Sequence, residues 1–251
     1  MKAEKTIVFE PFVRFVIEFH NKSMRYAKLL RTKVQHVDAF TSEDIELIEE
    51  AFLIKHVAEW EIFIQNIFAY CIAIDTTAIC NHLELDLSKK ISFDNAYAIL
   101  NGLNFFTATS TSELKGLAKK IITEKNNPFT QFDKTVLNNV DEVYILRNYI
   151  AHKSKKSKQR LQKMYKDRYR LTDFQNPGHF LRQEIKDDVD ASLRSDLYYG
   201  TFMTISTSIW KHLDPDSYKF VFEDDNSAIG LIRGIGKMSL IFERLSKENH
   251  L

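Results

Sequence analysis

An all-α fold is predicted by two features of the sequence. Among 251 residues there are only 7 Gly and 4 Pro, whereas a sheet protein of this size needs a turn about every eight to twelve residues. Apolar residues also recur at spacings of three and four over long stretches, the period of a helix with one side toward a core. Hydrophobic residues at 44% and charged residues at 27% are ordinary globular values, which argue against a disordered chain or a coiled-coil rod. No internal repeat or low-complexity linker divides the chain, so it reads as a single α-helical domain over 1–251.

Each element follows from its start and stop signals. The first periodic stretch runs from about Phe9 to Val34. The second begins at Ser42, where Glu43 and Asp44 complement the helix dipole, and continues to about Ala73. Its stripe of Leu47, Ala51, Ile54, Ala58, Ile62 and Gln65 is expected to face the core. A short helix is expected near Ser92 to Asn101, then a loop from Gly102 to Ser110, then a surface helix from Thr111 to Lys125 that Asn126, Asn127 and Pro128 end. Strong periodicity returns from Thr135 to about His152, followed by a lysine-rich segment. After a break at Asn176, Pro177 and Gly178, a long helix is expected from Asp187 to Leu213, stopped by Pro215. The stretch YKFVFED at 218–224 suits a short strand or a helical turn, and a last helix is expected from Ser227 to Lys247.

Charge and cysteine content narrow the function classes. Lys+Arg at 35 against Asp+Glu at 34 gives a net charge of +1, which excludes a uniformly basic nucleic-acid coat but allows a local patch. Cys71 and Cys80 are the only cysteines, too few for a disulfide framework or a thiolate zinc site. Lys5, Glu10, Arg14 and Glu18 interrupt the first apolar stretch, so it lacks a signal-peptide core. No window reaches the roughly 18 uncharged residues of a membrane span. A cytoplasmic protein with no membrane partner is the expectation.

The helix ending at His152 carries the most distinctive chemistry. At 100° per residue, Val136, Val140, Val143, Leu146 and Ile150 share one side, while Asp141, Ile145, Asn148 and His152 fall opposite within a sector about 60° wide. Arg147 falls inside the apolar sector, so its guanidinium needs a partner or a route to the rim. Glu61 is read as lying on the apolar side of the second helix, which suggests that the two helices pack and that Glu61 meets Arg147 or His152. An ion pair with no chemistry explains the same pattern, as does a solvated polar face for Asn148 and His152.

The string Leu146-Arg147-Asn148-Tyr149-Ile150-Ala151-His152 has Arg, a polar residue next to it, and His after four intervening residues. It resembles the signature of the HEPN superfamily, in which Arg and His close a helix of an α-helical bundle. The segment HVAEWEIFIQNIF at 56–68 likewise resembles the long second helix of several prokaryotic members. The resemblance implies a HEPN-like core over about 42–213, with 1–41 and 214–251 as flanking helical elements and an irregular C-terminal extension. It further implies a metal-independent endoribonuclease, without cofactor, acting as a homodimer whose two copies of Arg147, Asn148 and His152 form one composite catalytic site supported by Glu61. A toxin, phage-defence or stress-response role is part of that implication, with RNA as substrate and a cognate inhibitor or antitoxin as a further partner. Residue chemistry agrees: imidazole suits proton transfer near neutral pH, and guanidinium suits phosphoryl oxygens. Where many relatives have Gly after the His, this chain has Lys153.

Residues 153–170 hold nine Lys or Arg and one acid, Asp167. Lys153, Lys155, Lys156, Lys158 and Arg160 are candidate phosphate contacts, and Tyr165 and Tyr169, one turn apart, are candidate base-stacking residues. A solvated charged helix is the plain alternative. Gly230, Gly234 and Gly236 lack the context of a phosphate loop, the remaining histidines lack metal-ligand spacing, and no Gly-x-Ser-x-Gly elbow occurs. Two further functions compete with a ribonuclease: a non-catalytic HEPN domain that binds nucleotide or RNA or scaffolds partners, and a helical structural protein.

Overall fold

The computed structural model describes residues 2–35, 40–102, 110–185 and 193–222. Among these residues every regular element is helical: α1 (Lys2–Gln35), α2 (Ser42–Ile74), α3 (Thr77–Leu83), α4 (Phe93–Gly102), α5 (Thr111–Ile121), α6 (Lys134–His152), α7 (Lys155–Tyr169), α8 (Pro177–Leu181), α9 (Arg194–Leu213) and α10 (Pro215–Phe222), with short 3-10 turns at Glu124–Asn126 and Pro128–Thr130. The fold is all-α, as the scarcity of turn formers predicts. The expected last helix and the three glycines near it lie outside the described residues, as do most of the 102–110 loop and the expected start of α9.

Several helix ends are set by short polar side chains. Ser110 accepts a bond from the Glu113 amide at 3.2 Å, Asp133 from Val136 at 2.9 Å and Ser154 from Ser157 at 3.2 Å, each satisfying an amide that the first turn leaves open. Pro215 opens α10, and Asp214 accepts from the Ser217 amide at 3.2 Å. This cap makes residues 218–222 of YKFVFED helical, resolving the strand-or-helix ambiguity toward helix. α3 is an element the sequence reading did not anticipate.

The chain divides into two compact units, each assembled from separated segments, where the sequence reads as one domain. The first comprises Met1–Phe19, Trp60–Phe132 and Met203–Leu251; the second comprises His20–Glu59 and Asp133–Phe202. Aromatic packing dominates the first: Phe15 stacks on Phe63 at 4.4 Å and Phe12 on Trp210 at 5.3 Å, while the Trp210 indole donates to Ser217 Oγ at 2.6 Å. In the second, α6 packs along α7. Gly178 sits so close to α2 that a Cβ there would lie 2.3 Å from the Glu46 carbonyl oxygen, a contact only glycine permits.

The side of α2 that meets the core is not the stripe expected from the sequence. Leu47 is 65% exposed and Ile62 51% exposed, Ala51 and Ala58 are exposed, and Ile54 and Gln65 are half-buried. The buried side is Ile45, Glu49, Leu53, His56, Val57, Trp60, Phe63, Ile64, Ile67, Phe68 and Cys71, about half a turn away by helical geometry. α2 is apolar on more than one side, and its true core side includes a carboxylate and an imidazole, so an apolar stripe points the wrong way. The same apolar character makes α2 long and apolar enough, by length and composition, to cross a membrane once a charged residue or two is allowed in the window; most of that window is buried inside the protein.

Candidate functional site

The string Leu146–His152 occupies the last two turns of α6. The helical phase expected for α6 holds in its middle: Val140, Val143 and Leu146 of the expected core side are buried, while Val136 and Ile150 at its ends are half-buried like Asp141, Ile145 and Asn148 opposite, and His152 is exposed at the helix end. Arg147 is half-buried, and its Nη1 donates to Asn148 Oδ1 at 3.0 Å. The planar guanidinium is thereby tethered to the residue that separates it from the histidine in phase. Glu61 is half-buried and belongs to the first compact unit, whereas Arg147 and His152 belong to the second.

Lys153 ends α6 in the left-handed conformation, at φ 44 and ψ 28, with its N–H donating to the Tyr149 carbonyl at 2.8 Å. This is the position that favours glycine. Lysine adopts the helix exit that glycine would make at lower cost, and Ser154 then caps α7. The chain reverses within these two residues, so the basic segment begins directly beside His152 in sequence and folds back along α6.

α7 has a narrow buried side of Ser157, Leu161, Met164 and Tyr165. All nine basic residues of 153–170 are exposed, among them the five candidates Lys153, Lys155, Lys156, Lys158 and Arg160. Lys158 Nζ rests 4.7 Å from the centroid of Phe174, a contact worth about 0.5–1 kcal/mol at an exposed site. Arg168 alone is shown turned inward, to Glu142. Tyr165 is 1% exposed, its hydroxyl driven up in pKa by burial, and Tyr169 donates its hydroxyl to Glu142 Oε2 at 2.5 Å. Neither ring is available to a nucleic-acid base, which corrects the stacking role suggested by their spacing.

Glu142 is the residue the sequence reading missed. It is 3% exposed and accepts bonds from Arg168 Nη1 at 2.6 Å, Tyr169 at 2.5 Å and Tyr198 at 2.5 Å. Burial, then the neighbouring carboxylate, pushes Tyr169 up to about 12 and Tyr198 well above the phenol range. Arg194 stacks between Tyr169 and Phe180, its Cζ 4.1 and 4.4 Å from the two centroids. The cluster ties the middle of α6 to the end of α7 and to α9. An acid beside Val143 on a helix, with Arg and Tyr adjacent late in a basic run, was the available signal.

A second buried polar cluster joins α1, α2 and α9 within the same unit. Tyr26 donates to Glu49 Oε1, while Glu49 Oε2 is buried with no hydrogen-bond partner. Burial raises the Glu49 carboxyl. His56 Nδ1 donates to the Phe52 carbonyl at 2.7 Å, its Nε2 lies 3.2 Å from Ser23 Oγ, and its ring stacks on Tyr199 at 4.2 Å. Burial lowers its pKa to about 4.

Among the described residues, no three His, Cys, Asp or Glu side chains gather into a set able to hold a metal ion. Compared with known proteins, the chain gives no significant match to any protein family, curated protein or solved structure.

Proposed function

We propose that this chain is a metal-independent endoribonuclease of HEPN type, working as a homodimer in which Arg147, Asn148 and His152 of both copies form the catalytic site. The observation that carries the reading is the tether of Arg147 to Asn148 one turn before an exposed His152, followed at once by an exposed basic helix. In the reaction, the RNA 2′-hydroxyl attacks the adjacent phosphorus as His152 of one copy accepts its proton. The P–O5′ bond breaks, and His152 of the other copy returns a proton to the leaving 5′-oxygen. Arg147 holds the phosphoryl oxygens through the charge build-up, and Asn148 fixes the fork of Arg147. Lys153, Lys155, Lys156, Lys158 and Arg160 hold flanking phosphates. The setting is cytoplasmic, in a toxin, phage-defence or stress-response role, with a cognate inhibitor as partner.

The test is cleavage of RNA by wild type against His152→Ala, with end-group analysis. Cleavage should persist in EDTA, leave a 2′,3′-cyclic phosphate and a 5′-hydroxyl, and fall by about 10²- to 10⁴-fold in the variant, whose fold should be intact because the side chain is exposed. Cleavage of a strand with deoxyribose at the scissile position, or full activity in His152→Ala, would overturn the mechanism. Salt-dependent RNA binding without cleavage would identify a non-catalytic binding domain instead.

A further inference from the structure

Phe174 lies in the loop between α7 and α8, and it is half-buried. Two tyrosine rings pack against its ring. Tyr149 meets it at 5.3 Å with the planes at 70°, and the buried Tyr165 meets it at 6.3 Å with the planes at 53°. The ring is thus braced by edges and tilted planes, and a cation, Lys158 Nζ, is held 4.7 Å from its centroid. Tyr149 follows Asn148 directly and bonds through its carbonyl to the Lys153 amide at 2.8 Å, so the bracing residue belongs to the same turn as the proposed phosphate site.

We propose that Phe174, braced by Tyr149 and Tyr165, is a stacking shelf for one nucleobase of single-stranded RNA whose backbone lies along Lys158 and the end of α6. This assignment rests on the reading of the chain as an RNA-cleaving protein and names a part of its substrate site. Lys158 is exposed on a flexible four-carbon stem, so its ammonium can leave the ring for a phosphate as a base takes its place. The exchange is favourable on both sides: a base stacks on an aromatic ring more strongly than an exposed ammonium sits on it, and the ammonium gains an anion. Stacking ranks bases by area, so the shelf favours a purine.

The experiment uses an oligonucleotide that carries 2-aminopurine next to a deoxyribose at the scissile position, which prevents cleavage during binding. Wild type should quench the 2-aminopurine. Phe174→Leu, which keeps an apolar anchor for the loop, should lose the quench and bind about tenfold more weakly, yet bind an oligonucleotide abasic at that position as wild type does. Phe174→Trp should restore the quench, which separates stacking from a damaged loop. Lys158→Gln should keep the quench and flatten the salt dependence of binding. Wild-type binding and RNA cleavage together with an undiminished quench in Phe174→Leu would remove the shelf alone. Failure of wild type to bind RNA at all would remove the shelf and the ribonuclease reading together.

Discussion

Glu142 and Glu49 are both buried carboxylates of the second compact unit, and their surroundings treat them in opposite ways. Glu142 accepts three bonds, one of them from a guanidinium. Glu49 accepts one from Tyr26 and keeps an oxygen without a hydrogen-bond partner. Burial costs each charge its hydration, so the donors decide what the group becomes. A saturated carboxylate is a clamp between helices. An undersatisfied one favours its proton and makes the fold sensitive to pH.

The largest effect is expected at the clamp. Glu142→Ala leaves Arg168, Tyr169 and Tyr198 without their shared acceptor and should cost about 3–5 kcal/mol, read from urea unfolding. A loss below about 1 kcal/mol would mean that Glu142 is no more essential than Glu49. The next effect comes from the other cluster on acidification. His56 is held neutral, at about 4 against 6.5 for the free imidazole, so its contribution is complete above 6.5 and is lost as pH falls through that window. The loss should approach about 3 kcal/mol, and a His56→Gln protein should show a flatter acid limb in its melting temperature.

Smaller effects sharpen the contrast. Lys153 is a strained joint in the otherwise well-satisfied α6–α7 region, and Lys153→Gly should stabilise by about 1 kcal/mol, measured by thermal unfolding with and without RNA. The smallest change is expected from Glu49→Gln at pH 5, under about 1 kcal/mol. Because the folded carboxyl is raised above its ordinary 4.5, the native protein holds that proton longer than the unfolded chain does. Stability is therefore complete below 4.5 and declines as pH rises toward the folded value. Glu49→Gln should remove that decline in a pH series of melting temperatures. An unchanged series would show that Glu49 is satisfied by groups other than Tyr26.

The helical class was legible because so few Gly and Pro leave no room for strand turns, and α6 was legible in phase because its apolar residues occupy one arc. α2 was not. Its apolar residues spread around the helix, and Glu49 and His56 sit on the buried side, so the period was visible and the direction was not. The motif residues could be placed from sequence, since a helix fixes Asn148 and His152 by counting. Glu142 could not, because its three donors come from α7 and α9, at 26, 27 and 56 residues' distance. The misjudged Tyr165 and Tyr169 show the same limit: spacing along one helix says which residues share a side, and only the neighbouring helices say whether solvent reaches it.

The clamp at Arg168 and the reversal at Lys153 hold α7 to α6 at both ends. A helix with so much like charge would fray in isolation. Moored in this way, its amides should exchange with solvent no sooner than those of α6. Apart from the Lys158 contact with Phe174, the outward side of α7 then has little share in holding the protein together, so sequence drift there is nearly free of folding cost. A lineage carrying this helix can rewrite the charge pattern it presents one residue at a time, while the inward side and its moorings stay as they are.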